Sequence, residues 1–468
     1  MAEKLAASVS PQLERCAYFV ERKRRFCKMV PARGKRFCGE HGALEEENNR
    51  KRIQCPLDSK HTVYEDQLQK HLRKCNSREK PKPVYFARDI NAGLKEATGL
   101  PEEKQVPIFA LSKEELEDLI RKLRKASNDI KSVLKDQTCS HQALQEALND
   151  PKNGDAAFKH LKQQASILGN MERLNLLGPR RCFVEFGAGR GKLSHWVDIA
   201  LQDAKDVHFL LVERATTRFK VDGKHRKNGF ERLQVDIQHL CLNKVPVLVK
   251  EKLPAVGIGK HVCGSATDLA LRCLVETYAN LSDDDRRGGP EAKRLKIERT
   301  SRIPTNSPSE TCSDSVAENW SPVAGIVIAL CCHHRCDWKH YVGREFFTTV
   351  GLGVTEFNYF KRMTSWATCG MRERSPLTST IETESEEHEP HDRSVECSSD
   401  SLQGLLTTEE RKQIGRLCKL LLDHGRIEYL QQRGYDAVLQ YYTDLDVSLE
   451  NVLLTAVPHQ SSLSHSDS

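Results

Sequence analysis

Leu116, Ile120, Leu123, Ile130 and Leu134 recur at 4-3 spacing, with Ser127 the one polar intruder. Ser112 followed three residues later by Glu115 is a capping-box signature. Together they predict a helix from Ser112 to Asp136 with a short coiled-coil seam, within a segment 111–137. So few heptads serve either a weak coiled-coil dimer or a helix packed on its own protein, which leaves the chain a monomer. Further on, 180–370 and 410–458 alternate short apolar runs with amphipathic stretches, the pattern of strands and helices in an α/β sheet. Two stretches, 281–320 and 371–405, interrupt that pattern; rich in Ser, Thr, Asp, Glu and Pro and poor in aromatics, they are not expected to bury a core. Residues 77–110 read as a Pro-containing connector, and 11–76 are basic and rich in Cys and His.

At 468 residues and 38% hydrophobic content, the chain has room for one large core plus smaller modules. Its longest apolar run, Pro322 to Cys332, falls well short of the ~20 residues that span a bilayer. The N-terminus lacks an apolar segment followed by a small-residue cleavage site, so secretion is not expected. The 17 Cys are therefore expected to be thiols or metal ligands of a reducing compartment. The net charge of +7 is concentrated: residues 1–80 hold 19 Lys and Arg against 11 Asp and Glu, and the rest is about neutral. That concentration fits a polyanion such as nucleic acid, or a solvated charged surface.

Two sets of ligands have metal spacing. The first is Cys16-x10-Cys27-x10-Cys38-x2-His41, in a segment 11–44. The second, in 52–79, is Cys55-x5-His61-x9-His71-x3-Cys75. A helix over Glu65 to Lys74 would place His71 and Cys75 on one face, with Cys55 and His61 around a turn or hairpin. Four S/N ligands close a tetrahedral zinc shell and leave no catalytic position open, so two structural Zn2+ sites are expected. A 25-residue unit lacks a core of its own, and zinc stands in for one. Arg22, Lys23, Arg24, Arg25, Lys28, Arg33, Lys35 and Arg36 surround the first site and suit phosphates; Phe26 and Phe37 among them suit core packing.

Arg181 to Phe186 is an apolar strand running into Glu185-x-Gly187-x-Gly189-x-Gly191, with a helix pattern after it. Glycines let the backbone turn tightly and approach a ligand. The next strand, Val207 to Val212, ends in Glu213, whose carboxylate suits two ribose hydroxyls. Asp236 ends the Leu233–Val235 segment and suits an adenine amino group. Dinucleotide enzymes use G-x-G-x-x-G with a pyrophosphate on the helix N-terminus. Here Glu185 would repel a pyrophosphate and attract the ammonium of a methionine moiety, which favours S-adenosylmethionine over NAD or over a glycine turn with no ligand.

Two more strand ends carry polar clusters: Lys260-His261-Val-Cys263-Gly264-Ser-Ala-Thr267-Asp268, and Cys331-Cys332-His333-His334-Arg335-Cys336. Ligands of open α/β sheets lie outside such ends. The second block also admits a third metal site, although Cys331 and Cys332 would point to opposite faces of a continuing strand.

The chain resembles the eukaryotic tRNA 2′-O-methyltransferase family that modifies the fourth nucleotide of the acceptor stem. The resemblance spans both fingers, the second being of the CHHC kind, the glycine turn, the Gly259–Leu269 segment, the Cys331–His334 block and Cys418-Lys-Leu-Leu-Leu-Asp-His-Gly-Arg426…Tyr429-Leu430. It implies a class I Rossmann-like fold over 138–458 with a seven-stranded sheet ending in an antiparallel hairpin, S-adenosylmethionine as methyl donor, and a tRNA acceptor stem as partner. The reaction implied is in-line methyl transfer to a ribose 2′-oxygen, which needs alignment and a proton acceptor. Lys260, His261, Asp268, His333 and His334 are candidates, with His261 and His333 foremost because neutral imidazole accepts a proton near neutral pH. Two other readings remain: a zinc-finger RNA-binding scaffold with an inactive methyltransferase-like domain, and an RNA base methyltransferase using Cys263 or Cys331 as nucleophile. Pro290 to Ile297 resembles a nuclear localisation signal, so nucleus, cytoplasm or both are compatible.

Overall fold

The structure, a computed structural model, describes residues 15–21, 25–31, 33–38, 41, 51–75, 77–78, 81–94, 106–128, 130, 134–202, 204–215, 229–260, 262–279, 321–331, 333–368 and 405–459. His261, Cys332, the segment Pro290 to Ile297 and nearly all of both polar insertions lie outside the described residues. The chain divides into two compact units, Met1–Pro83 and Val84–Ser468. Among the described residues no helix is long and apolar enough to cross a membrane.

The first unit is built from two small hairpins. Strand β1 (Phe19–Val20) pairs antiparallel with β2 (Arg25–Phe26), and β3 (Arg52–Cys55) with β4 (Asp58–Tyr64) around a turn at Pro56 and Leu57. A helix follows, shorter than its pattern predicts. A single 3-10 turn at Glu65–Gln67 leads into α1 (Leu68–Leu72), and Cys75 lies beyond the helix end. The Lys74 N–H donates to the His71 carbonyl at 2.8 Å, a tighter turn that ends the helix before Cys75. The apolar centre of the first hairpin is almost entirely Cys16, Cys27 and Cys38, with Val20 and Phe37 packed on them.

The second unit is a sheet covered by helices on both faces. Its elements are α2 (Lys113–Ser127), β5 (Lys135–Asp136), α3 (Asp155–Arg173), β6 (Arg181–Phe186), α4 (Lys192–Leu201), β7 (Val207–Val212), β8 (Gly229–Leu233), β9 (Ala255–Gly259), α5 (Ser265–Arg272), β10 (Val323–Ala329), α6 (Val354–Met363), α7 (Thr408–Gln431), β11 (Tyr435–Tyr441) and β12 (Val452–Pro458), besides shorter helices. The eight strands run in the order β5-β11-β12-β10-β9-β6-β7-β8. From β10 to β8 the neighbours are parallel; β12 runs antiparallel between β10 and β11. The sheet thus has eight strands, one more than expected. The extra one is β5, which pairs with Gln440 and Tyr441 on the edge. Its two residues fall in the stretch whose periodicity predicted the end of the long helix. That helix stops at Ser127 and Asn128, both poor interior helix residues, and the open edge of β11 takes up the chain instead.

The pleat sorts each strand into two cores. On β6, Cys182, Val184 and Phe186 pack on one face with α5 and the end of α7, and Phe183 packs on the other with α3 and α4. Period two puts Glu185 on the Phe183 face, over the start of α4. A third cluster joins α2, α6 and α7. The predicted seam residues Leu116, Ile120 and Leu123 are buried there at 7% exposure or less, against this chain's own helices. Each such side chain contributes about 1.5–3 kcal/mol by leaving water. Part of the expected connector also belongs to this unit: the buried Asn91 amide donates to the Ile237 and Leu240 carbonyls at 2.7 and 2.8 Å.

Candidate metal centres and active site

In the first unit, Cys16, Cys27, Cys38 and His41 bring their ligand atoms within 4.8 Å of one another, as do Cys55, His61, His71 and Cys75. In the first set the Cys38 and Cys16 sulfurs lie 3.2 and 3.4 Å from His41 Nδ1, and the Cys27 and Cys38 sulfurs 3.9 Å apart. In the second, the Cys55 and Cys75 sulfurs are 3.8 Å apart and the two histidine Nε2 atoms 3.1 Å. Zn–S bonds of about 2.3 Å and Zn–N bonds of about 2.0–2.1 Å give a tetrahedral shell edges of roughly 3.3–3.8 Å, so both donor sets fit a zinc ion. His61 turns Nδ1 toward the Asp58 carboxylate at 3.5 Å, a partner that orients a metal-binding imidazole. Tyr18 stacks on His41 with ring centroids 3.9 Å apart, a support that ligand spacing does not reveal. Phe37 packs against the cysteines as expected. The Cys331–Cys336 block is not a third cluster of this kind among the described residues.

In the second unit, β6 ends in a bend where Gly187, Gly189 and Gly191 have φ of 61°, 48° and 71°. All three lie in the left-handed region that favours glycine. A Cβ on Gly191 would meet Leu211 Cδ2 at 2.5 Å, so close packing also requires glycine there; one on Gly189 would meet nothing within 4 Å. The bend is held from both sides. Glu213, just past β7, accepts from the Gly189 N–H at 3.1 Å, and Arg232 of β8 donates to the Gly189 carbonyl at 2.9 Å. Glu185 is buried and accepts from the Ser194 N–H at 3.0 Å and its hydroxyl at 2.5 Å. Burial pushes its carboxyl up to about 7, against the pull of Ser194 and Arg232 toward ionisation. Asp236 caps a single turn by accepting from the Gln238 N–H at 3.0 Å.

The ends of β9 and β10 carry the remaining candidates. Lys260 Nζ lies 2.9 Å from Nδ1 of His160, a residue of α3 that the sequence reading did not single out. Cys263 and Cys331 place their sulfurs 3.3 Å apart. Asp268 is fully buried on α5, and both of its oxygens accept from Arg426 of α7, at 3.1 and 2.8 Å. Arg426 also donates to Asp423 at 2.7 Å and to the Cys336 sulfur at 3.1 Å. Burial pushes the Cys336 thiol up to about 12. Asp423 in turn meets His333 Nε2 at 2.7 Å. Burial would raise the Asp423 carboxyl, but His333, Arg426 and Lys419 outweigh it and hold it below its ordinary value. His333 Nδ1 is buried without a hydrogen-bond partner among the described residues. Beside Asp423 lies a cavity of about 450 Å³, bounded by Arg416, Lys419, Tyr441, Asp444 and Asn451 among others. The sequence reading did not single out Asp423 and Arg426 as site candidates, although they stand at i, i+3 beside the apolar run Leu420 to Leu422 of α7.

A family profile described as methyltransferase TRM13 matches residues 162–457; a CCCH zinc finger in TRM13 protein matches 14–42; and a U11-48K-like CHHC zinc finger matches 52–76. The mouse protein named tRNA:m(4)X modification enzyme TRM13 homolog (Mus musculus) is 65% identical over 460 residues, covering 96% of this chain and 95% of that protein. The human protein of that name (Homo sapiens) is 66% identical over 464 residues, 97% of this chain and 96% of that one. The tRNA:m(4)X modification enzyme TRM13 of Saccharomyces cerevisiae is 27% identical over 508 residues, 94% and 95% of the two chains. No solved structure matches. With zinc-binding clusters in both finger segments and a family match over most of the larger unit, the chain belongs to the TRM13 methyltransferase family.

Proposed function

We propose that this methyltransferase takes the methyl group of S-adenosylmethionine and places it on the ribose 2′-oxygen of the fourth nucleotide of a tRNA acceptor stem. The observation that carries the reading is the triple-glycine bend between the buried Glu185 and Glu213, which at Gly189 leaves side-chain-free space at the carboxyl ends of parallel strands. Seven of the eight strands, β11-β12-β10-β9-β6-β7-β8, have the order of a class I Rossmann-like methyltransferase sheet. The mouse and human names, each a tRNA modification enzyme, support the same substrate.

Each residue has a task in this reading. Glu185 draws in the ammonium of the donor. Gly187, Gly189 and Gly191 let it approach the backbone, Glu213 exchanges its Gly189 bond for the ribose hydroxyls, and Asp236 meets the adenine amino group. When bound, S-adenosylmethionine supplies an electrophilic methyl carbon on a sulfonium. The protein's work is to align the 2′-oxygen with that carbon and accept the hydroxyl proton. Lys260 and His333 stand at adjacent strand ends for that step; His261, next to Lys260 in the sequence, is a further candidate. Asp423 accepts from His333 Nε2–H in the tautomer that leaves Nδ1 free to take a proton. Asp268, with both oxygens on Arg426, steadies this arrangement and takes no proton itself. Both fingers hold zinc structurally, and their cations meet the phosphates of the A-form stem, a duplex read by shape and backbone.

The test is equilibrium binding of labelled S-adenosylmethionine to the zinc-loaded chain. Micromolar binding lost in Glu213→Ala is expected; no binding by the unaltered chain contradicts the reading and favours a scaffold.

A further inference from the structure

We propose that Cys263 and Cys331 are a modification site: a thiol pair that closes to a reversible disulfide and switches methyl transfer off. The two sulfurs come from the ends of adjacent parallel strands, β9 and β10, and lie 3.3 Å apart. Their loops are held together independently of the thiols. Gly264 has a φ of 60° and sits so close to Arg335 that a Cβ would fall 2.5 Å from the Arg335 carbonyl oxygen. The Ser265 hydroxyl donates to the same oxygen at 3.4 Å. The pair is therefore oriented in advance, with the high effective concentration of an intramolecular reaction.

The two thiols differ in access. Cys263 is partly exposed, and Cys331 is 8% exposed. That is the arrangement of an attacking and a resolving cysteine. By contrast, Cys182, Cys273, Cys336 and Cys418 are buried with their thiols pushed up by desolvation, which makes them inert. With a peroxide as oxidant the step balances. The Cys263 thiolate attacks one peroxide oxygen, the O–O bond breaks, and a sulfenic acid and a hydroxide result. Cys331 sulfur then attacks the sulfenic sulfur, the S–S bond forms, the S–O bond breaks and water leaves. Two thiols and one peroxide become one disulfide and two waters. A reducing dithiol reverses the step by thiol–disulfide exchange.

The consequence rests on the functional reading, because Lys260 and His333 flank the two cysteines. A disulfide needs about 2.05 Å between sulfurs, so closing the pair pulls the two sulfurs, and with them the loops that carry Lys260 and His333, by up to roughly 1 Å. A displacement of that size at a reacting centre costs about a hundredfold in rate.

The experiment treats the full-length, zinc-loaded chain with hydrogen peroxide, maps its peptides, measures released zinc and assays methyl transfer before and after dithiothreitol. Cys263→Ala and Cys331→Ala are treated alike, each scored against its own reduced activity. Expected for the unaltered chain are a Cys263–Cys331 linked peptide, retained zinc, a loss of about a hundredfold and recovery on reduction. Both variants should keep their own reduced rate. The proposal is overturned by absence of the linked peptide, by its formation without loss of activity, or by equal loss in the variants. No transfer by the reduced, unaltered chain would overturn the functional reading and the switch together, with the mapped bond standing as a separate result.

Discussion

Arg426 is the side chain on which most buried charge converges, and its removal should be costly for a reason that can be counted. Two carboxylates, Asp268 and Asp423, share one guanidinium that is 2% exposed. Deleting it strips Asp268 of that fork and leaves Asp423 to His333 and Lys419, so Arg426→Ala should lose about 3–5 kcal/mol, read by chemical denaturation. Arg426→Lys should recover only part of that, because an ammonium cannot serve both oxygens of Asp268 in a planar fork. Glu185 behaves oppositely. Its folded-state pKa is raised, by burial first, from 4.5 to about 7. A raised value means that its contribution to stability is complete below pH 4.5 and is lost as pH rises through about 7. Glu185→Gln should remove that pH dependence from the ligand-free protein. Because the donor's ammonium pairs with the ionised form, affinity for S-adenosylmethionine should strengthen as pH rises through about 7 in the unaltered chain and stay flat in the variant. Calorimetry across that range decides it, and a flat response in both would remove Glu185 from the donor site.

The glycine bend, as an element, separates folding from binding. Gly189→Ala meets no neighbour, so it should cost about 1–2 kcal/mol of backbone strain and still exclude the donor from the space it fills. Gly191→Ala carries the same strain plus a 2.5 Å approach to Leu211, and should be less stable by a further 1–3 kcal/mol or so. Melting curves beside binding isotherms test the pair; equal destabilisation would contradict the local geometry. This bend was legible in the sequence because positive φ at alternate positions demands glycine and leaves a signature in the chain. The two Cys/His clusters were legible for a similar reason: few residue types satisfy zinc, and each set lies within a short segment. What was not legible depends on contacts that the sheet makes over distance. Asp268 and Arg426 are 158 positions apart, Lys260 and His160 are 100, and Cys263 and Cys331 are 68. The end of α2 was misread because its periodicity outlasts its helix, and only the open edge of β11 explains where Lys135 and Asp136 go.

At the scale of the whole molecule, two compact units imply two separable losses. Bound zinc supplies on the order of 10–16 kcal/mol to a module with almost no other core. Chelating it from the full-length chain should therefore unfold the fingers and weaken tRNA binding, while affinity for S-adenosylmethionine holds; parallel loss of both would contradict a modular chain. The central claim is narrower and has a direct measurement. Two acceptor-stem substrates are compared that differ only in whether the fourth nucleotide carries a ribose or a 2′-deoxyribose, each with labelled donor and the zinc-loaded protein. The account expects label in the ribose substrate alone. Label in both, or in neither, would contradict it.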